Sequence, residues 1–375
     1  IQDRARQTGV KELSALLGTP VSIDRIQFSP FNKLELFGVY LPDLKGDTLL
    51  YANKVAAGIA LSNLIFDKEL VFTNIQLFGL DARITRATPD TTTNLQFVID
   101  AFKSNSDKPK EKIKFKINNA IVRRGKIRYD LLSAAPAEPG RFDPHHIEVK
   151  NLLSKLSIKS FTGDSVNVSI KRLAFDERSG FSLNRLQFKV EANRQQAQLS
   201  DFKIQLPGSH IEIKPLTANL PDSLSTERIL NETRFSLQIP HAQVSLPDIA
   251  PFVPLLDEIE TSADLTVHLS GTPNDFYVHT FDFDFGKGSI TTHSQIAVKR
   301  ITDAANRSIV CDPITVNASA EGIEAILPKI PALTGEQRQI IARLGNVRFN
   351  GDITNQHRDL TACGTPTTHL GTIHS

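Results

Sequence analysis

Six stretches of this chain share one order of residue types: apolar, polar, polar, apolar, any residue, apolar. They are Ile23–Phe28, Phe72–Leu77, Ile117–Val122, Ile170–Phe175, Leu183–Phe188 and Leu199–Ile204. Side chains along a β-strand alternate between faces with period two. A polar pair between two apolar residues moves the apolar set from one parity to the other. Without a local irregularity, the second apolar residue would land on the wrong face. A β-bulge or strand bend supplies that irregularity. A chain that repeats such a unit builds a long, curved antiparallel sheet from similar pieces. The spacing of the copies is irregular, so this is not a strict solenoid repeat.

Composition bounds what such a sheet can do. The chain has 375 residues, 40% of them hydrophobic, enough for sizeable cores in one to three domains. A net charge of +2 gives no electrostatic reason for binding nucleic acid. The lysines at Lys103, Lys108, Lys110, Lys112, Lys114 and Lys116 run from a polar linker into a strand and read as a solvated face. Cys311 and Cys363 are the only cysteines. Two distant cysteines make no zinc site, and the count fits a bacterial periplasmic or cytosolic protein. No run of about 18 apolar residues crosses a bilayer. The chain starts at Ile1 and ends in a strand-like pattern, which reads as a piece of a longer protein.

Three parts are expected along the chain. Residues 1–17 form an amphipathic helix stopped by Gly18 and Pro20, with Leu13, Leu16 and Leu17 in its stripe. Residues 18–220 form a β segment with an inserted helix over 92–104, for which Asn94 is a candidate cap. Within it, Ile113–Val122 and Lys126–Tyr129 read as a hairpin around Gly125, and 131–146 as a Pro-rich loop. Residues 221–375 continue the sheet, with short helices near 322–327 and 335–344, the second capped by Thr334. Helices are too few to cover so much one-sided sheet. The apolar faces must meet each other, as in a sandwich, or a ligand.

No sequence motif of catalysis is present: no nucleophile elbow, phosphate loop, dinucleotide fingerprint or metal-binding His or Cys pair. Asp143, His145 and His146 share a loop but lack further ligands. Asp282 and Asp284 sit two apart on a strand, with Phe281, Phe283 and Phe285 on its other face, so the carboxylates point to water. Arg123 and Arg124 read as a charged hairpin end, with an anion contact as the sharper alternative. No catalytic residue, metal or cofactor is expected, and the chain does not read as an enzyme. The cleanest period-two faces are Val55, Ala57, Ile59 and Leu61, then Val166, Val168 and Ile170, then Leu186, Phe188 and Val190. These ten are the candidate lining of an apolar groove.

Several segments carry a resemblance: Leu17–Ile23, Phe31–Tyr40, Gly46–Ala52, Ile121–Asp130, Ile170–Phe175 and Leu344–Ile353. In this order they are similar to the N-terminal part of TamB-like proteins of the AsmA superfamily, in the form found in Bacteroidota. The resemblance implies a sheet rolled into an open apolar groove, akin to bridge-like lipid transfer proteins. It implies a periplasmic protein held in the inner membrane by an N-terminal helix and conducting phospholipid toward the outer membrane. It also implies an outer-membrane β-barrel partner, and an older reading links the family to outer-membrane protein assembly. A structural or adhesive β-sandwich array is the rival expectation.

Overall fold

The chain was analysed as a computed structural model, which describes residues 2–29, 33–60, 70–106, 113–162, 165–223, 225–329, 333–356 and 359–372. The fold is mostly β, 59% strand and 15% helix, so the helices can cover only a small part of the sheet. Contacts divide the chain into two units. One comprises Ile1–Lys159 with Val168–Leu186, and the other Ser160–Asn167 with Gln187–Ser375.

The first unit opens with helix α1 (Gln2–Leu17), followed by β1 (Ser22–Ser29), β2 (Lys33–Pro42), β3 (Thr48–Ile59) and β4 (Leu70–Arg86). These four pair in chain order as antiparallel neighbours. Helix α2 (Gln96–Ser106) then carries the chain over to β5 (Ile113–Leu131), which lies parallel to β4. A helical crossover is what a parallel pair requires. β6 (His146–Thr162) returns antiparallel. β7 (Ser165–Glu177) and β8 (Ser182–Asn193) give residues to both units.

Two expectations need correction here. Residues 113–131 are one strand, not a hairpin. Arg124 takes a left-handed φ of 54° and the ladder to β6 shifts at Gly125, so the chain kinks and continues. A kink and a tight turn use the same residue types, which is why the sequence misleads. α2 also begins at Gln96, not 92. Asn94 does not cap it: its Oδ1 accepts the Thr85 N–H at 2.9 Å, pinning the loop back to β4.

A parity change runs as a line across β1 to β4, and of the six stretches read from the sequence Ile23–Phe28 alone lies on it. Ile23 and Ile26, Leu36 and Val39, Ala52 and Val55, and Leu77 and Leu80 are each three apart. Each pair ladders onto the next: Ile23 opposite Val39, Val39 opposite Ala52, Ala52 opposite Leu80, with Ile26, Leu36, Val55 and Leu77 matched below. Gly38 and Gly79 sit on this line with φ of 59° and 63°. On the polar side, the Arg25 guanidinium stacks over Phe37 at 4.2 Å, and the Lys54 ammonium lies 5.3 Å from the same ring. Cation–aromatic contacts of this kind cover the ring where it faces water.

The core of this unit lies where α1 and α2 cover the sheet. Leu17, Val21, Ile23, Ile26, Leu41 and Leu49 are buried together, with Val10, Leu13, Leu95, Phe97 and Val98 packed against them. The expected stripe of α1 is thus the lid of the first strands.

The second unit follows through β9 (Gln196–Gln205), β10 (His210–Glu212) and β11 (Leu216–Asn219). It continues through β12 (Arg234–Ser245), β13 (Ser262–Gly271), β14 (Phe276–Phe285), β15 (Ile290–Lys299) and β16 (Ser308–Ala318). It ends with β17 (Val347–Gln356), β18 (Asp359–Thr368) and β19 (Gly371–Thr372). From β12 to β19 every strand pairs antiparallel with the next. Four short helices lie between strands, α3 (Thr226–Glu232), α4 (Leu246–Ile249), α5 (Ala320–Ile326) and α6 (Gly335–Arg343). Thr334 caps α6 through a reciprocal box with Gln337, as its sequence predicts.

A second bend line crosses this unit. β12, β14 and β16 each carry one extra residue relative to their neighbours, at Ile239/Ala242, Val278/Phe281 and Cys311/Ile314. The segments there are Ile-Pro-His-Ala, Val-His-Thr-Phe and Cys-Asp-Pro-Ile, each two residues, polar or proline, between apolar ones. Sequence reading missed these segments, and with them strand β12, because Pro240 looks like a strand breaker. A proline fits where the ladder is already interrupted. The ladders also settle the cysteines. Cys311, Ile353 and Ala362 stand opposite one another and share a face. Cys363 follows Ala362 and points to the other face, so the two thiols are free.

Two outcomes are expected. A Cβ on Gly79 would lie 2.4 Å from Asn53 Nδ2 in a left-handed backbone, whereas one on Gly46, also left-handed, would meet nothing within 4 Å. In urea titrations Gly79→Ala should lower stability by roughly 1–3 kcal/mol and clearly more than Gly46→Ala. Equal losses would mean that the bend line contributes nothing beyond its backbone angle. Removing residues 1–17 should uncover the packed cluster, raising the binding of an apolar dye and lowering Tm; if neither changes, α1 is not the lid.

Candidate functional site

In each unit the face opposite the polar one carries rows of apolar side chains running across the strands. In the first unit one row reads Leu36, Val55, Leu77, Val122 and Ser154, and the next Leu34, Ala57, Ile75, Ala120 and Leu156. In the second, Val244, Ala263, Phe285, Ile290, Ala318 and Val347 form one row. Ala242, Leu265, Phe283, Thr292, Val316 and Phe349 form the next. Ladder partners point to the same face, so these rows are stripes at a strand spacing of about 4.8 Å, with polar members at Ser154 and Thr292.

These faces are not filled like a core. Of the phenylalanines whose side chains are described, Phe285 alone is buried; Phe188, Phe202, Phe235, Phe276, Phe281, Phe283 and Phe349 are half-buried. Phenylalanine belongs to the residues most often buried completely. In a two-sheet sandwich the inner faces interdigitate into a core about 10 Å thick, and such side chains would be enclosed.

Nine of the ten candidate lining residues are placed, and all nine are half-buried. Val55, Ala57 and Ile59 lie on β3, between Leu34 and Leu36 on one side and Ile75 and Leu77 on the other. Leu61 lies outside the described residues. Val168, Ile170 and Leu186 belong to the first unit, and Val166, Phe188 and Val190 to the second. The candidates therefore sample the apolar faces of two units. The sequence reading left out the phenylalanine stripe of β14, although the alternation Phe281-Asp-Phe-Asp-Phe285 marks it.

The polar positions considered for chemistry hold other duties. Asp282 pairs with His293 Nδ1 at 2.5 Å, and Asp284 accepts the Gly288 N–H. Both stand on the face opposite the β14 phenylalanines. Among the described residues no three His, Cys, Asp or Glu side chains are grouped to hold a metal ion. Nor is any helix among them long and apolar enough to cross a membrane.

The loop trio is a structural knot. Asp143 is buried and accepts the Ala137 and His145 N–H groups, each at 2.9 Å. Although burial opposes it, the combined pull of those bonds and of the nearby imidazoles holds its carboxyl below the usual range. His146 is also buried. Its Nδ1 lies 3.0 Å from Asp130 Oδ1 and its Nε2 2.9 Å from the Ala134 carbonyl. Both partners are acceptors, so both ring nitrogens donate and the imidazolium form fits. The Asp130 bond first, and the Ala134 carbonyl next, raise its pKa.

The sign follows from linkage. The folded pKa lies above the unfolded value of about 6.5, so the stabilisation is fully present below that pH. It is lost as pH rises through the folded pKa. By NMR, His146 should titrate above the ordinary histidine range, and amide exchange in residues 132–145 should quicken through that same rise. A His146 titrating at or below the ordinary value would remove the imidazolium from this knot.

No protein-family model, curated protein or solved structure matches this chain.

Proposed function

We propose that this chain is a non-enzymatic lipid conduit of the periplasm, in which a half-shielded apolar face covers phospholipid acyl chains as they pass between inner and outer membranes. One observation carries this reading: mostly apolar rows cross the strands of both units, and on the rows of the second unit Phe283 and Phe349 stay half-buried. The sequence resemblance to TamB-like proteins supports it, with an inner-membrane anchor and an outer-membrane β-barrel as the partners at either end. Exposing an acyl chain of about 16 carbons costs on the order of 13 kcal/mol, at about 0.8 kcal/mol per methylene. A continuous apolar face lowers that cost at every step and needs no chemically special residue.

The test is native mass spectrometry of the protein purified from bacterial membranes, with Ile59→Asp and Val168→Asp as variants. An unpaired charge in a closed core costs several kcal/mol, about 3 or more, and would unfold the unit. On an open face water reaches the carboxylate. The expected result is phospholipid bound to the parent, with both variants folded and carrying less of it. A lipid-free parent together with loss of cooperative folding in both variants would overturn the conduit and leave a structural β-sandwich array.

A further inference from the structure

The first unit holds a hollow of 410 Å³, lined mainly by polar side chains and bordered by Ala57, Ile75 and Leu156 of an apolar row. Its lining includes Lys33, Arg123, Lys155 and Lys171, contributed by four different strands, β2, β5, β6 and β7. No carboxylate lines it. Among the described residues these four cations have no carboxylate partner. Elsewhere in this unit cations are matched: Lys54 with Glu35 at 2.7 Å, and Lys126, Arg128 and Lys150 all around Glu148.

Two details make this a hollow and not a flat patch. Ala56 and Gly58 stand on β3 where larger side chains would fill it; even a Cβ on Gly58 would come within 3.3 Å of the Asn74 amide nitrogen. Beside them a second ladder irregularity, between Phe72 and Asn74, offsets β4 against β5. It leaves Asn74 and Asn119 paired, with Asn119 Nδ2 donating to Asn74 Oδ1 at 2.8 Å. Gln76 adds a third amide and Ile121 an apolar patch of floor.

Four unmatched cations and three amides around one concavity suit an oxygen-rich anion of two or more charges. Guanidinium and ammonium donors to phosphate make charge-assisted hydrogen bonds, stronger than neutral ones. A volume of 410 Å³ exceeds a lone phosphate and suits a phosphate carried on an organic group. We propose that this hollow is a binding site for organic phosphates. It stands whether or not the apolar face conducts lipid. Arg123, read from the sequence as one end of a charged hairpin, becomes an anion contact once 113–131 is a single strand.

Calorimetric titration of the whole chain tests this, using inorganic pyrophosphate, dihexanoyl phosphatidate and dihexanoyl phosphatidylcholine as probes. The expected result is saturable, salt-sensitive binding of at least one of the first two, tighter than the zwitterionic lipid. Binding of pyrophosphate identifies a soluble phosphate as sufficient; binding of phosphatidate alone identifies a lipid headgroup. Arg123→Gln with Lys155→Gln should weaken it about tenfold or more, since a hydrogen bond to a charged group is worth about 1.5–3 kcal/mol. Lys189→Gln, a cation paired with Glu191 in the second unit, should leave it unchanged. Amide shift mapping on the unaltered protein should place the perturbation at Gln76, Asn119 and Lys155. No saturable binding of either anion, shifts centred elsewhere, or full affinity in the folded double variant would each overturn the site.

Discussion

Everything in this fold depends on keeping one face of a bending sheet apolar. A strand that gains one residue flips every side chain beyond it. Where neighbouring strands bend, each must therefore keep its apolar residues on the shared face, or the apolar rows would break. In the first unit β1 to β4 do so together, each with a three-residue step between apolar positions. In the second unit alternate strands take the extra residue, and the strands between them need none. The two arrangements reach one end: apolar side chains on either side of the bend share a face, with Ser294 and Gly351 the breaks at the second unit's bend.

That constraint is also why so much was legible in the sequence. Parity is written in residue identity, so Ile23-Asp-Arg-Ile26 announces both a strand and its bend. The capping box at Thr334 and the stripe of α1 are equally local. What was not legible is non-local or ambiguous. Nothing in residues 113–131 says that they lie parallel to β4, because pairing direction is set by the crossover and not by the strand. Arg124-Gly125 has the composition of a turn and the conformation of a kink. Pro240 hid β12 for the same reason: a break in the ladder and a break in the strand use the same residue. The hollow at Lys33, Arg123, Lys155 and Lys171 draws its lining from six strands, β2 to β7, and only the sheet brings it together.

The two faces solve different problems. On the polar side of the first unit, aromatic rings at the bend are covered by cations: Phe37 by Arg25 and Lys54, and Phe78 by Arg124, whose guanidinium lies 5.4 Å from the ring. Exposed ion pairs contribute little to stability, usually about 1 kcal/mol or less. A cation over a ring contributes a similar amount and also removes apolar surface from water. Such contacts let a bend carry a bulky residue outward without an exposed greasy patch. Among the described residues of the first unit, α1 and α2 cover part of the apolar side.

Leaving that side open has a measurable cost. A fully buried phenylalanine contributes roughly 1.5–3 kcal/mol, and a half-buried one roughly half as much. Across Phe235, Phe276, Phe281, Phe283 and Phe349 the stabilisation forgone amounts to several kcal/mol, on the order of a domain's whole net stability. A sequence shaped for stability alone would close this face with a second layer, or shrink its side chains and make them polar. Here Phe283, Phe285 and Phe349 remain on the rows, in register with apolar neighbours. An occupant that is itself apolar and enters without displacing packed protein would recover the missing burial. An acyl chain meets both conditions, because it is narrow, flexible and free of groups that need hydrogen bonds.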